Sequence, residues 1–307
     1  MSSLSVDLKK FRIPLEELKC ATDNFDCDFA VTDDSYLGEL SERWQNRTAL
    51  FKRFNKEEYG SHELEILSRL QHEDIISFIG YCDEDDDYIY MAYEYFDHRS
   101  LHDVLKSESK WPFRLQICIR VAKVLNYLHS GVGEHGRVIH GNIRCENIFF
   151  DCRDDKFDTI KVSGFYYSKL VPLNQPHQHH SCPEELLEMS HTDPIYKETN
   201  LLNTESDVYS FGVLMFEILH GIGSESGDVR NLHQLMNLVR GCYDDGPYKL
   251  TDPYLRGNTN HRSLKIFSTL AYKCISFDIK ERPRMDEIIK TIEKAFDVHQ
   301  VSLFIRW

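Results

Sequence analysis

The run Thr204-Glu205-Ser206-Asp207-Val208-Tyr209-Ser210-Phe211-Gly212-Val213-Leu214-Met215-Phe216-Glu217-Ile218-Leu219-His220-Gly221 decides the architecture of this chain. It opens with a capping-box pattern, Thr204 at the N-cap and Asp207 three residues on. Beyond it, apolar residues stand on nearly every face, so the predicted helix is enclosed by other elements. Its apolar part, Val208 to Leu219, is too short to cross a bilayer. Gly221 is placed to end it in a left-handed turn. A helix buried on all sides needs a large domain around it, and 307 residues at 41% apolar content suffice to build one.

Outward from that helix, the second half of the chain stays helical. After Trp111-Pro112, a helix start, come Leu115, Cys118, Ala122, Leu125 and Leu128 at steps of three or four. Met285, Ile288, Ile289, Ile292 and Phe296 form a second stripe. The first third is different. Thr48–Phe54 and Tyr88–Tyr95 read as strands, with one helix between them carrying Ile66, Leu67 and Leu70 on a face. A strand-rich lobe followed by a helical lobe is an α+β arrangement. The expected boundaries are a loose tail over 1–10, a small lobe with its lead-in segment and connection over 11–96, a helical lobe over 97–296, and a second tail over 297–307.

Composition narrows the function. A formal charge of −14 argues against nucleic-acid binding, which needs clustered Lys and Arg. The acidic run Asp83-Glu84-Asp85-Asp86-Asp87 reads as a solvated turn. Nine cysteines, none in Cys-x-x-Cys spacing, fit a reducing compartment rather than a disulfide framework. The first residues show no secretory pattern, and Ser2 excludes N-myristoylation. The expectation is a cytoplasmic protein that does not insert into a membrane and reaches one only through a partner. His177, His179, His180 and Cys182 are residue types that bind Zn²⁺, but no second cluster has matching spacing, and no metal site is expected there.

Several stretches match one family in order. Phe11-Arg12-Ile13-Pro14-Leu15-Glu16-Glu17-Leu18 with Ala21-Thr22-Asp23-Asn24-Phe25 resembles the segment leading into plant receptor-like Ser/Thr kinase domains. Glu63 to His72 resembles that family's αC helix, Ile79-Gly80-Tyr81-Cys82 and Tyr93-Glu94-Tyr95-Phe96 its next strand and hinge, Ser206 to Val213 its buried αF helix, and Arg282-Pro283 its late Arg-Pro. The matches run from about residue 11 to 296, and the resemblance implies the two-lobed protein-kinase fold.

The resemblance also shows what is missing. Phosphoryl transfer is mostly positioning and charge stabilisation, so a kinase needs a phosphate cradle, a lysine held by a glutamate, a base and metal ligands. Where a glycine-rich hairpin belongs, the chain has Val31-Thr32-Asp33-Asp34-Ser35-Tyr36-Leu37-Gly38, with no glycine before Gly38 and two acids that repel phosphate. Lys52 matches the strand lysine and Glu63 its partner; read without the family, they are a surface lysine and a helix glutamate. Tyr93, Glu94 and Phe96 complete the implied nucleotide pocket. In His140-Gly141-Asn142-Ile143-Arg144-Cys145-Glu146-Asn147, Asn142 replaces the base, and an amide takes no proton near neutral pH. Gly141 replaces an arginine that in many kinases grips a phosphorylated activation loop, Arg144 replaces lysine, and Asn147 is kept as a weak metal candidate. Gly164 replaces the aspartate that holds Mg²⁺. Leu67, His140 and Phe165 are expected to stack as an internal spine, and Asp207 to brace the catalytic loop. Ile195 replaces the glutamate that pairs with Arg282, which is left to find another partner or face solvent.

These residues imply a catalytically impaired receptor-like pseudokinase with no required cofactor: Mg²⁺ is not expected, and ATP is at most a weak ligand. It would act as a scaffold or allosteric partner of other protein kinases or receptor-like kinases. The alternatives are a weakly active ATP-dependent Ser/Thr kinase with a rearranged site, and a fold that keeps nucleotide as a structural ligand without turnover.

Overall fold

The computed structural model describes residues 7–57, 62–96, 98–106, 109–131, 136–151, 159–172, 178–221, 232–242, 247–257 and 259–305. A helical turn at Leu8–Phe11 comes first, and Leu8 packs against the core, so the expected N-terminal tail is in part ordered structure. Helix α1 (Leu15–Ala21) follows, then β1 (Ala30–Thr32), β2 (Ser35–Glu39), β3 (Thr48–Asn55), α2 (His62–Leu67), β4 (Phe78–Cys82) and β5 (Tyr88–Glu94). The strands form one antiparallel sheet in the order β1-β2-β3-β5-β4.

The lead-in segment belongs to this lobe. Ile13 and Leu18 are buried with Ala49, Phe51, Ile79 and Tyr90, and the Ile13 N–H donates to Tyr81 O at 2.7 Å. Glycine at 80 permits that approach, because a Cβ there would overlap the Phe11 carbonyl. The acidic run after β4 is more than a solvated turn. Arg12 Nε donates to Asp83 at 2.6 Å, the Leu15 N–H donates to Glu84 at 2.9 Å, and Asp85 accepts from the N–H groups of Asp87 and Tyr88. It clamps the lead-in segment to the sheet.

The second lobe continues with β6 (His98–Ser100), α3 (Leu101–Leu105), α4 (Trp111–Ser130), β7 (Arg137–Ile139), β8 (Ile148–Asp151), β9 (Ile160–Val162), β10 (Lys169–Val171), β11 (Gln178–His179), α5 (Glu184–Leu187), α6 (Pro194–Thr199) and β12 (Leu201–Leu202). Then come α7 (Thr204–His220), α8 (Leu232–Gly241), α9 (His261–Cys274) and α10 (Met285–Ile305). Helix α10 does not stop at 296; nearly all of the expected C-terminal tail is its last turns. The fold is thus a strand-rich lobe joined to a helical one.

Helix α7 runs through the centre of the helical lobe with every residue from Ser206 to His220 buried. Its cap differs from the sequence expectation. Asn203, in extended conformation, is the N-cap: its side chain accepts from the Ser206 N–H at 2.9 Å, and Ser206 Oγ accepts from the Asn203 N–H at 3.4 Å. Asparagine caps as well as threonine does, and starting the helix one residue earlier releases Asp207 from capping. Gly221 ends the helix at φ 69°, as expected.

Candidate functional site in the interlobe cleft

Strand β3 brings Lys52 to the cleft, opposite Ser35 of β2 and Met91 of β5. Helix α2 brings Glu63. The two form no ion pair. Lys52 Nζ lies 5.7 Å from the Tyr93 ring centroid. Its side chain opens to solvent at the cleft, yet the walls exclude enough water that desolvation lowers its pKa, while Glu63 pulls the other way at longer range. Glu63 is buried at 6% exposure and takes the Tyr93 hydroxyl at 2.8 Å on Oε1. Its Oε2 is buried without a partner, and burial pushes the carboxyl pKa up, against the pull of Tyr93 and then Lys52. Tyr93 and Phe96 are buried and Glu94 half-buried where β5 leads to the second lobe.

The hairpin above the cleft is tight. Thr32 pairs with Ser35, leaving Asp33 and Asp34 as its turn. Asp34 does not face the cleft as a free charge: Arg53 grips its carboxylate with Nε at 3.2 Å and Nη2 at 2.8 Å, and Nη2 also donates to Asp33 O at 3.0 Å. Arg53 alternates with Lys52 along β3, so it serves the outer face of the sheet.

The loop from His140 to Asn147 is held from below by α7. The Asp207 carboxylate accepts from the N–H groups of His140 and Gly141, each at 2.8 Å, and lies 2.8 Å from His129 Nε2. His129 as a partner had no sequence signal, because it lies 78 residues away. His140 is fully buried, with its ring 4.6 Å from that of Phe165. Its Nδ1 accepts from the Asn142 N–H and its Nε2 faces the Ser163 carbonyl at 3.0 Å, so the proton sits on Nε2. Burial holds its pKa down at about 4. Leu67 and Phe165 belong to one hydrophobic core, and the His140 ring packs on Phe165. Cys145 Sγ donates to Glu217 Oε2 at 3.3 Å, and His191 Nε2 lies 2.7 Å from the same oxygen, tying the loop to α7 and to the segment before α6.

Asn147 packs against the backbone of Gly164. Gly164 has φ 85°, a conformation that favours glycine. A Cβ built there would lie 2.5 Å from Nδ2 and 2.6 Å from Cγ of Asn147. The Asn147 amide occupies the space in which an aspartate at 164 would begin, and its Nδ2 donates to Asn142 O at 2.8 Å. Arg144 is turned elsewhere, with Nη1 at 3.6 Å from Met189 Sδ. The residues present do not fit Mg²⁺, which needs carboxylates.

Beyond Gly164, Tyr166 stacks on Phe54 of β3 with ring centroids 5.9 Å apart. This tie between the lobes was not read from the sequence, where an isolated tyrosine carries no such signal. Arg282 does not face solvent: its guanidinium takes both Asp193 oxygens at 2.6 and 2.9 Å, donates to Glu205 O at 2.9 Å and Ser276 O at 2.8 Å, and covers the Tyr209 ring. Of the histidine-cysteine cluster, His177 lies outside the described residues. Among those described, His179, His180 and Cys182 do not gather as ligands, and one exposed group, Asp26, Cys27 and Asp28, does. No helix among the described residues is long and apolar enough to cross a membrane.

Comparison with known proteins bears on this geometry. Residues 48–292 match the family described as protein tyrosine and serine/threonine kinase. The receptor-like protein kinase FERONIA of Arabidopsis thaliana is 32% identical over 298 residues, covering 92% of this chain and 32% of its own length. Receptor-like protein kinase HERK 1 of the same plant is 31% identical over 314 residues, covering 95% of this chain and 36% of its own. The chain spans about a third of the length of the curated relatives it matches. With the sheet, the buried α7 and the cleft in place, the chain belongs to the protein tyrosine and serine/threonine kinase family and, within it, to the plant receptor-like kinases.

Proposed function

We propose that this chain is a pseudokinase: a kinase fold that does not transfer phosphate and acts by binding, as a scaffold or allosteric partner of active receptor-like kinases. The observation that carries this reading is the Asn147 amide packed against Gly164, where a metal-holding carboxylate would have to start. Two further features point the same way. Asn142 stands at the base position, and a general base contributes roughly 10²–10⁴-fold to such reactions. The hairpin over the cleft closes on Asp33 and Asp34 in place of glycines, and Arg53 fixes it there. Three separate elements of the site would each need repair.

What remains intact is architecture: the spine through Phe165 and His140, and the loop braced on Asp207, keep the shape of an active kinase without its chemistry. Such a shape offers a surface to kinases that recognise one another. The reading places the chain in the cytoplasm, brought to the plasma membrane by its partner.

The test is thermal melting with ATP, with and without Mg²⁺, beside a phosphate-transfer assay on a generic protein acceptor. A ligand that binds the folded state raises the melting temperature by mass action. No Mg²⁺-dependent rise and no transfer are expected. A rise with ATP alone, lost in Lys52→Ala, makes nucleotide a structural ligand within the same reading. A Mg²⁺-dependent rise with transfer that Lys52→Ala abolishes would overturn it and make the chain a weakly active Ser/Thr kinase. Specific co-purification with receptor-like kinases checks the partner class.

A further inference from the structure

The face of the helical lobe formed by α9 and α10 carries a groove that the site above does not use. Its cavity is about 470 Å³, with a floor of Ile266, Leu270 and Pro283 and a rim of Arg262, Lys265 and Lys273. The three cations are exposed, stand on one side of α9, and face a single acidic lining residue, Glu287. They form no ion pair among the described residues, on a chain whose net charge is −14. Thr269 and Lys273 also line a neighbouring cavity of about 710 Å³, where Tyr272, Ile275 and Phe277 add apolar surface. Phe277 is 67% exposed, the most exposed large apolar side chain among the described residues.

We infer that this groove is a docking site for an acidic segment of another protein, one that carries apolar residues between its Asp and Glu. The argument rests on charge and shape together. A strip of cations on an otherwise acidic molecule reverses the local field, so it attracts acidic segments where the rest of the surface repels them. The apolar floor rewards side chains that enter between the cations. From Arg262 to Lys273 along α9 is about 16 Å at 1.5 Å per residue, the length of about five residues of extended peptide at 3.3 Å each. An anionic membrane is the poorer occupant, because Asp278 and Glu281 edge the second cavity and the molecule as a whole is strongly negative.

This names the chemistry of a partner and so deepens the binding role proposed above. It rests on that reading for its purpose, but not for its test, since α9 packs on α7 and α10 rather than on the cleft. The experiment pans a random peptide display library of about twelve residues against the wild-type chain and against Arg262→Glu/Lys265→Glu/Lys273→Glu, then measures the enriched peptides by fluorescence anisotropy at low and high salt. These side chains are exposed, and an unchanged melting temperature checks that the variant folds. The expected result is enrichment of peptides with Asp or Glu around Leu or Phe, binding that weakens with salt, and at least tenfold loss on the triple variant. Enrichment of neutral or basic peptides, equal binding to the triple variant, or no enrichment would overturn the inference. So would loss-sensitive binding to phosphatidylserine vesicles without any peptide selection, which would assign the strip to lipid. Phosphate transfer measured on the same two proteins reads the catalytic question separately: activity in both would sink the pseudokinase reading and leave the groove standing.

Discussion

The Tyr93 hydroxyl, and not the Lys52 ammonium, holds Glu63: Oη lies 2.8 Å from Oε1, while Oε2 is buried without a partner. Tyr93→Phe strips the last hydrogen bond from a buried carboxylate and should cost about 1–3 kcal/mol in urea unfolding. Glu63→Gln keeps an acceptor for Tyr93 and removes the buried charge, so its loss should be smaller, under about 1 kcal/mol. The two also differ in pH dependence. The folded-state pKa of Glu63 is raised, so its stabilising contribution is complete below the unfolded value and is lost as pH rises through the folded one. The Gln variant should therefore gain on the wild type as pH rises above about 4.5. A Glu63→Gln variant that falls behind over that range would instead mean that Lys52 and Glu63 pair in solution.

Restoring a carboxylate at 164 should not restore a metal site. In Gly164→Asp the new Cβ meets Asn147 within van der Waals distance, and φ 85° adds about 1–2 kcal/mol of backbone strain. The variant should melt about 5 °C or more below the wild type and show no Mg²⁺-dependent rise with ATP. A variant that melts normally and gains that rise would mean that Asn147 swings aside easily, and that its packing on Gly164 is no barrier.

Arg282 is held by Asp193 and two carbonyls through four of its five N–H donors, which sets two opposite expectations. Asp193→Ala leaves a buried cation uncompensated and should cost about 3–5 kcal/mol. Ile195→Glu, which returns the family's glutamate, should change stability by no more than about 0.5 kcal/mol, because Asp193 already neutralises the guanidinium through both Nη atoms. Denaturant melts of the two variants decide this. A stabilising Ile195→Glu would show that Asp193 is only a partial substitute.

Much of this architecture was legible because it rests on short-range periodicity. The all-round apolar run of α7, the stripe of α4 and the alternation of β3 and β5 each declare themselves within a few residues. Asn142 and Gly164, on which the pseudokinase proposal rests, could be singled out because each stands at a fixed place in a motif. What could not be read was which side chain answers a loss. Ile195 removed a partner from Arg282, and the replacement came from Asp193, which the fold brings beside it across 89 residues. Lys52 and Glu63 suggested an ion pair, but a tyrosine on a third element took the carboxylate. The cap of α7 moved one residue because Asn203 takes the Ser206 N–H as Thr204 would have taken that of Asp207, and propensity does not separate the two. Local pattern fixes elements; pairings between elements depend on distances that no local pattern contains.

His140 gives the molecule a predictable acid sensitivity. Its imidazole is fully buried against Phe165, and desolvation is the largest influence on it, pulling the pKa to about 4; Asp207 and the Ser163 carbonyl oppose this, and His129 adds to it. A histidine whose folded-state pKa lies below its unfolded value of about 6.5 is stabilising in its neutral form. The unfolded chain takes up the proton first as pH falls, so stability is full above about 6.5 and declines steadily toward 4. Across that interval the single group accounts for about 3 kcal/mol, at 1.36 kcal/mol for each of roughly 2.5 pH units. His140→Phe keeps a ring against Phe165 but forfeits the bonds to Ser163 and Asn142, so it should be less stable at pH 7. Its stability should nevertheless fall less steeply between pH 6.5 and 4 than that of the wild type. Urea melts of both proteins at half-unit pH steps make the comparison. Parallel curves would mean that His140 takes up its proton as readily in the folded state as in the unfolded one, and that Asp207, which accepts from the His140 N–H, offsets the cost of burial.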